Sequence, residues 1–463
     1  MEVIPIELLY DVLYLVNKPI LLSLRSCKFL LFVIKMIPLQ FHKFYDSIFN
    51  DSDTVSKKYL LRRYCISQKS IIKNTYTHHA IDTRDHYFHE VLPRGIFCLT
   101  LTNTNKFGYK SFEELSKINL IALKITTVGD KIQDFPPSIQ YLHVKLFTFR
   151  TSKHNFPPHL KYLRCESASP NGNDLKNLAK LEILHVSHYS SFAGYINYPK
   201  SLRYFTIDVL SSKLEKLPDW LTHLTITTAH QPKYLTLPNI PQSLFFLSID
   251  KVIVKQQVLN IKHLKLTSYL SVTTIPHSIV KLEIWNDSFR DFSSLLKLKT
   301  LIISTLRLNE MTLPNLVRLY VYSVMPGHPI TINHLPTSLK YLILDTPQNI
   351  IFSGQQIYLK YLKLKCNNID PTFFIQSSLQ HLSIHSGTMF KIPLTIKSLS
   401  FCEYISADEL IKNVRHLNQL RKLILPVNMS LTDVKLPKSL RYIKTNKHNL
   451  HLIPRWVTEV VVY

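Results

Sequence analysis

One phrase recurs along most of this 463-residue chain: an apolar residue followed by Pro-x-Ser-Leu-x-x-Leu-x-Ile. It stands in full as Leu335-Pro336-Thr337-Ser338-Leu339-Lys340-Tyr341-Leu342-Ile343-Leu344, and close variants fill 240–249, 275–284, 436–445 and 453–462. Self-similarity at a short period constrains a fold more than composition does. One such unit cannot bury its own apolar face, so copies must stack on one another.

With the first Leu as position 1, nineteen copies run from Ile96 to Val457, at intervals of 17 to 24 residues and a mean near twenty. Position 1 is aliphatic in all nineteen. Position 4 is Leu in sixteen, the others being Phe205, Ile443 and Val460. Position 6 is apolar everywhere except Thr445, with Cys165 and Phe401 standing in for aliphatics. Positions 4 and 6 share one face of a strand and position 5 faces the other way. Eleven copies carry Pro three residues before position 1, where a fixed φ and a missing donor suit the approach to a strand rather than its middle. The residue before each of those prolines is apolar and is expected to tuck inward. The pattern predicts an α/β repeat solenoid lined by parallel strands of about 20-residue period.

The phrase resembles a leucine-rich repeat, and its Leu-Pro-x-Ser-Leu-x-x-Leu form resembles the FNIP repeats of slime moulds and amoeba-infecting giant viruses. Two features depart from those patterns. No Asn or Cys column follows the strand, and the Phe-Asn-x-x-Ile half of the FNIP unit is absent.

Residues 1–50 break the period. Leu8, Leu9, Val12 and Leu13 have helical spacing with Pro5 in the first turn, and a second helical stretch follows Pro19. By spacing alone this is an amphipathic cap. The residue order Pro5-x-Glu7-Leu8-Leu9, Val12-Leu13 and Leu21-x-x-Leu24-x-x-Cys27-Lys28-x-Leu30 resembles an F-box, the helical motif that docks on the Skp1 adaptor of a cullin ubiquitin ligase. Pro19-Ile20 departs from it, since the family commonly has an acidic residue before the Leu pair. The resemblance implies that Pro5, Leu8, Leu9, Leu13, Leu21 and Leu24 make or support the adaptor contact. It divides the chain into an F-box-like segment (1–50), a linker or N-terminal cap (51–91) and a solenoid of about 19 units (92–463). Arg25, Lys28 and Lys35 interrupt the one apolar run long enough to tempt a membrane reading. No cleavable signal pattern opens the chain.

Six cysteines without close pairing fit a reducing compartment, the cytoplasm or nucleus and the host's cytoplasm if the chain is viral. Cys98 and Cys165 occupy repeat columns, where buried free thiols are expected. The net charge of +25 lies mostly after residue 95, since residues 1–95 carry 13 basic and 9 acidic groups. Such a balance favours acidic partners or nucleic acid.

Eight isolated glycines leave no phosphate-cradling loop, and neither a Gly-x-Ser-x-Gly elbow nor a His-Glu-x-x-His motif is present. The sequence reads as non-enzymatic, with no cofactor. A polar cluster at His78, His79, Asp82, Asp85, His86, His89 and Glu90 has helical spacings that would suit zinc. A solvated linker explains it as well and is the reading adopted, with no metal.

Position 3 points away from the core and includes Tyr141, Tyr162, Tyr204, Tyr341, Tyr361 and Tyr442. A tyrosine column suits recognition, because Tyr buries much area while keeping a hydroxyl, and equally suits cross-strand ladder packing. Position 2 holds nine cations in nineteen copies, Lys340, Lys360 and Arg441 among them. A solvated rim accounts for them, as does a grip on an acidic tail or a single nucleic-acid strand. Together with the F-box resemblance, the columns lead to a substrate-recognition subunit that docks on Skp1 and cullin and holds a target protein on its solenoid. The alternatives are a nucleic-acid-binding basic solenoid and a non-catalytic interaction scaffold with a helical cap.

Overall fold

The computed structural model describes residues 78–82 and 98–102 and, from Leu120 to Tyr463, the strands with the turns that lead into them. Most loops between units lie outside the described residues, as does the F-box-like segment with Pro5, Leu8, Leu9, Leu13, Leu21 and Leu24.

Twenty-four strands are described. They are β1 His78–Asp82, β2 Cys98–Thr102, β3 Ala122–Val128, β4 Tyr141–Phe147, β5 Tyr162–Cys165, β6 Ile183–Tyr189, β7 Tyr204–Val209 and β8 His223–Thr227. Next come β9 Leu235–Leu237, β10 Phe246–Ile249, β11 Val252–Val254, β12 His263–Leu266, β13 Lys281–Ile284, β14 Thr300–Ser304, β15 Arg318–Tyr322 and β16 Ile330–Ile332. The last are β17 Tyr341–Asp345, β18 Ile350–Phe352, β19 Tyr361–Lys365, β20 His381–His385, β21 Ser398–Phe401, β22 Lys422–Ile424, β23 Tyr442–Thr445 and β24 Glu459–Val462.

The chain forms two compact units, residues 1–144 with 148–157, and residues 145–147 with 158–463. In the first, β1 to β3 pair in parallel, and the Gln140 and Tyr141 amides at the start of β4 donate to the Ile121 carbonyl. This ladder begins one strand before the first aligned copy. His78, His79 and Asp82 therefore lie on a strand, not on the helix their spacing would offer, and no group of three or more metal-ligating side chains gathers among the described residues.

In the second unit, sixteen strands from β5 to β24 form one parallel, in-register ladder, each pairing with the strand one repeat away. Leu319, Leu342, Leu362 and Leu382 stand opposite one another in consecutive strands, all position 4. This is the leucine-rich-repeat-like solenoid that the period predicts. Apart from the ladder, two neighbouring repeats add the short parallel pair β9–β11, and two others add β16–β18, each a separate two-stranded sheet. Helix is sparse among the described residues: the short 3-10 helix Lys447–Leu452, and single α-helical residues at Leu175 and Val414.

The core is the repeat columns. Positions 1, 4 and 6 are buried in every described copy from Leu120 onward except the last, where Val460 and Val462 are about 40% exposed. Fully burying one such Leu contributes about 1.5–3 kcal/mol. The residue before the proline turns in at eight of the ten described copies, where Phe135, Phe156, Leu217, Ile240, Ile275, Leu335, Ile392 and Leu436 are buried; Tyr198 and Ile453 are half-buried.

Each proline opens a turn rather than starting a strand. In nine of the ten described copies that carry it, all but Pro157, its carbonyl accepts from the amide of position 1 three residues on, as in Leu339 to Pro336 at 2.9 Å and Leu440 to Pro437 at 3.0 Å. Three copies without the proline use two successive turns of the same kind, with buried apolar residues at Leu175, Leu178 and Leu181, at Phe292, Leu295 and Leu298, and at Val414, Leu417 and Leu420. The Ser before position 1 ties neighbouring repeats together. Ser138, Ser201, Ser243, Ser278, Ser338, Ser378 and Ser439 each donate to the position 1 carbonyl of the preceding repeat, and Thr395 does the same. Where Trp replaces Ser, at Trp220 and Trp456, its indole Nε1 donates to the proline carbonyl of the preceding repeat, Pro199 and Pro437, 3.2 Å away in both cases.

Near the end of the ladder a buried asparagine takes the role that no sequence column announced. Asn449 is 2% exposed; its Nδ2 donates to the Met429 carbonyl and the Thr445 hydroxyl, and its Oδ1 accepts from the Leu431 amide.

Candidate functional site: the open face of the ladder

Positions 3, 5 and 7 form the open side of the sheet, and most of their side chains are half-buried or exposed; Ala122, His143, Tyr162, Ile183, Ser248 and Ser383 are buried. In β8, β14, β15 and β17, burial alternates residue by residue as strand geometry requires.

The position 3 tyrosines do not all behave alike. Tyr141 and Tyr204 are half-buried, and Tyr204 stacks on His223 with ring centroids 4.2 Å apart. Tyr162 is only 2% exposed, so it belongs to the core rather than to a recognition surface. Its neighbour in register is the buried Ile183, whereas Tyr341 and Tyr361 face other aromatic or cationic residues. Four successive strands align Arg318, Tyr341, Tyr361 and His381. The guanidinium lies 5.0 Å from the Tyr341 ring, and the following centroids are 6.1 and 6.3 Å apart. Tyr442 carries the Lys422 ammonium 4.8 Å from its ring. Both burial and the negative charge of Glu459 raise the Tyr442 pKa. The tyrosine column is thus a packed ladder, and edges and hydroxyls are what it offers outward.

Burial dominates the electrostatics of the histidines in this row. It lowers the His223 pKa to about 4, with the neighbouring His263 adding to the effect. His381 is shifted down by burial, then by Lys397 and Lys422.

At position 2, Lys340, Lys360 and Arg441 are exposed. Their backbones are structural, because each carbonyl accepts two amides from the next repeat, as Lys340 does from Lys360 and Tyr361 at 2.9 and 3.0 Å. The Arg441 guanidinium folds back onto the carbonyls of Lys438, Leu440 and Trp456, so part of its donor capacity braces a turn. From β12 to β23, ten adjoining strands of the ladder, positions 2 and 3 hold ten Lys or Arg and no carboxylate. Only the β20 unit lacks one, having Gln380 and His381.

Cys165 and Cys366 are buried, and desolvation raises the Cys165 pKa strongly, which keeps that thiol from acting as a nucleophile in this state. Among the described residues, no helix is long and apolar enough to cross a membrane.

No family model and no curated protein matches the chain. Among solved structures, YopM from Yersinia enterocolitica WA-314 aligns over 88% of this chain and 86% of that chain, at 16% identity and a TM-score of 0.35. A likeness that loose carries no argument about what the open face binds. The fold class rests on the ladder itself, a parallel repeat solenoid.

Proposed function

We propose that this chain is the substrate-recognition subunit of a Skp1–cullin–F-box ubiquitin ligase, with residues 1–50 docking on Skp1 and the open face of the solenoid holding an acidic target protein. The observation that carries the target half is the charge of that face: a cation at position 2 or 3 on nine of ten adjoining strands, with no carboxylate among them. Complementary potential steers and selects an oppositely charged partner. The adaptor half rests on the F-box resemblance at Pro5, Leu8, Leu9, Leu13, Leu21 and Leu24.

The test is capture of purified Skp1 by the full chain and by Leu8→Asp with Leu9→Asp. Capture by the parent and loss in the variant are expected. Failure of the parent to bind Skp1 removes the ligase role and leaves an interaction scaffold. The same row of cations favours nucleic acid as a second reading, which requires affinity for oligonucleotides that falls steeply with salt.

A further inference from the structure

Position 5, the middle outward column, carries a feature that the charge pattern hides. From β12 to β19 it reads Lys265, Glu283, Ile302, Tyr320, Ile343 and Lys363 in register. Three consecutive apolar residues stand between charged ones, and the column turns polar again at Ser383 and Ser400. All three are half-buried on the open side. Position 7 adds a wall to one side of them: Trp285 and Tyr322 stack 5.5 Å apart across the smaller Ser304, and Trp285 is 42% exposed.

The rim of this island is polar. Lys265 pairs with Glu283 at one edge, and Lys365 pairs with Asp345 at 3.1 Å at the other. The carboxylates nearest the island are therefore already engaged by lysines of the same face. The remaining charge alongside it is positive, from Lys299, Arg318 and Lys340 at positions 2 and 3 of the same strands and Lys360 of the next. An apolar centre with aromatic anchors inside a polar rim is the anatomy of a binding hot spot.

We propose that this island is the anchor site for the target: an acidic polypeptide segment seats one large apolar side chain on Ile302, Tyr320 and Ile343, against the Trp285–Tyr322 wall. The inference rests on the reading that the open face holds the target. Positions 2 and 3 lie two or three residues from position 5, about 7–10 Å along a strand. Carboxylates flanking the anchor within that reach meet the row of cations. Charge complementarity selects an acidic segment over a basic one. Ring geometry disfavours a single nucleic-acid strand, which needs open aromatic faces on which to stack bases. One face of Tyr341 lies against Arg318 and the other toward Tyr361, and Trp285 already stacks on Tyr322.

The experiment is fluorescence anisotropy with the full chain and labelled probes. Three are peptides of about twelve residues: Glu/Ser-rich with one central Trp, the same with Ala for Trp, and a Lys-for-Glu version that keeps the Trp. The fourth is an oligo-dT of similar length. The acidic Trp peptide is expected to bind about tenfold tighter than the Ala and Lys versions, and Ile343→Ser or Tyr320→Ala to lower its affinity about tenfold without changing that of the Ala version. Lys340→Glu with Lys360→Glu should weaken both acidic peptides. Unchanged melting of each variant by circular dichroism excludes misfolding, and Trp285→Ala gives an independent lesion if one variant fails to fold. Equal binding of the Trp and Ala peptides, an Ile343→Ser variant with parental affinity, oligo-dT as the tightest probe, or no binding by any probe overturns the proposal. Skp1 capture separates the two readings: if it persists while the peptide results fail, the anchor site alone falls, and the reverse removes only the ligase role.

Discussion

The hydroxyl of Ser338 donates to the carbonyl of Leu316 at 2.8 Å, reaching across 22 residues of chain to the repeat before its own. Seven other copies make the same link, so the Ser of the repeating phrase is a fastener between units as well as a turn residue. Ser338→Ala should cost about 1 kcal/mol in urea unfolding, the net worth of one hydrogen bond. A conservative Ser338→Thr should recover most of it, since Thr395 already serves in that slot.

Asn449→Ala should cost more, about 2–3 kcal/mol, because it removes a side chain that satisfies groups away from water. The Leu431 amide and the Met429 carbonyl both lose a partner. Hydrogen exchange is the direct measurement: the Leu431 amide should lose protection, while amides of β14 and β15 keep theirs.

Acid should weaken the fold through His223. Its native pKa lies near 4, below the ordinary imidazole value of 6.5. Between those values the unfolded state binds more protons than the native one, so stability falls as pH drops from 6.5 towards 4 and is fully present above 6.5. The shift sets a ceiling of about 3 kcal/mol for this one group. His381, shifted in the same direction, adds to the trend. Thermal melts at pH 7 and pH 4.5 measure the loss, and His223→Phe, which keeps the stacking on Tyr204, should shrink the difference.

Cys165 and Cys366 should resist a thiol reagent in the native state and react fully in denaturant, as burial and the raised Cys165 pKa require. Cys165→Val should fold. Cys165→Asp should not, since it places a carboxylate in a core position that is 0% exposed.

The strand columns were legible in the sequence because positions 4 and 6 admit little beyond Leu, Ile and Val, and a two-residue period has few structural meanings. The inward apolar residue before most of the prolines was legible because its column is apolar in every copy that carries the proline, although Tyr198 and Ile453 are only half-buried. Tyr162 was misplaced because its column position matches that of Tyr341, and the burial of one side chain depends on surroundings that the column does not encode: Tyr162 and Tyr204 flank the same Ile183, yet only Tyr162 is buried. The serine links were missed because a hydroxyl in a turn reads as turn chemistry, while its acceptor lies a whole repeat away. The apolar island was missed because Ile302, Tyr320 and Ile343 are each unremarkable alone and stand some twenty residues apart. A reading of the position 5 column from strand to strand would have found them.

The parallel ladder also bears on how the chain comes to be folded. Within residues 158–463, each main strand's partner is about 20 residues away, so typical contact separation divided by length is about 0.07, in the range of fast-folding helical bundles rather than of ordinary sheets. Closing a loop of that size carries nearly the same entropic cost at every step. Synthesis at roughly 5–20 residues per second delivers a new unit every one to four seconds. Each unit can then dock on the one made before it, needing nothing from the residues still to come.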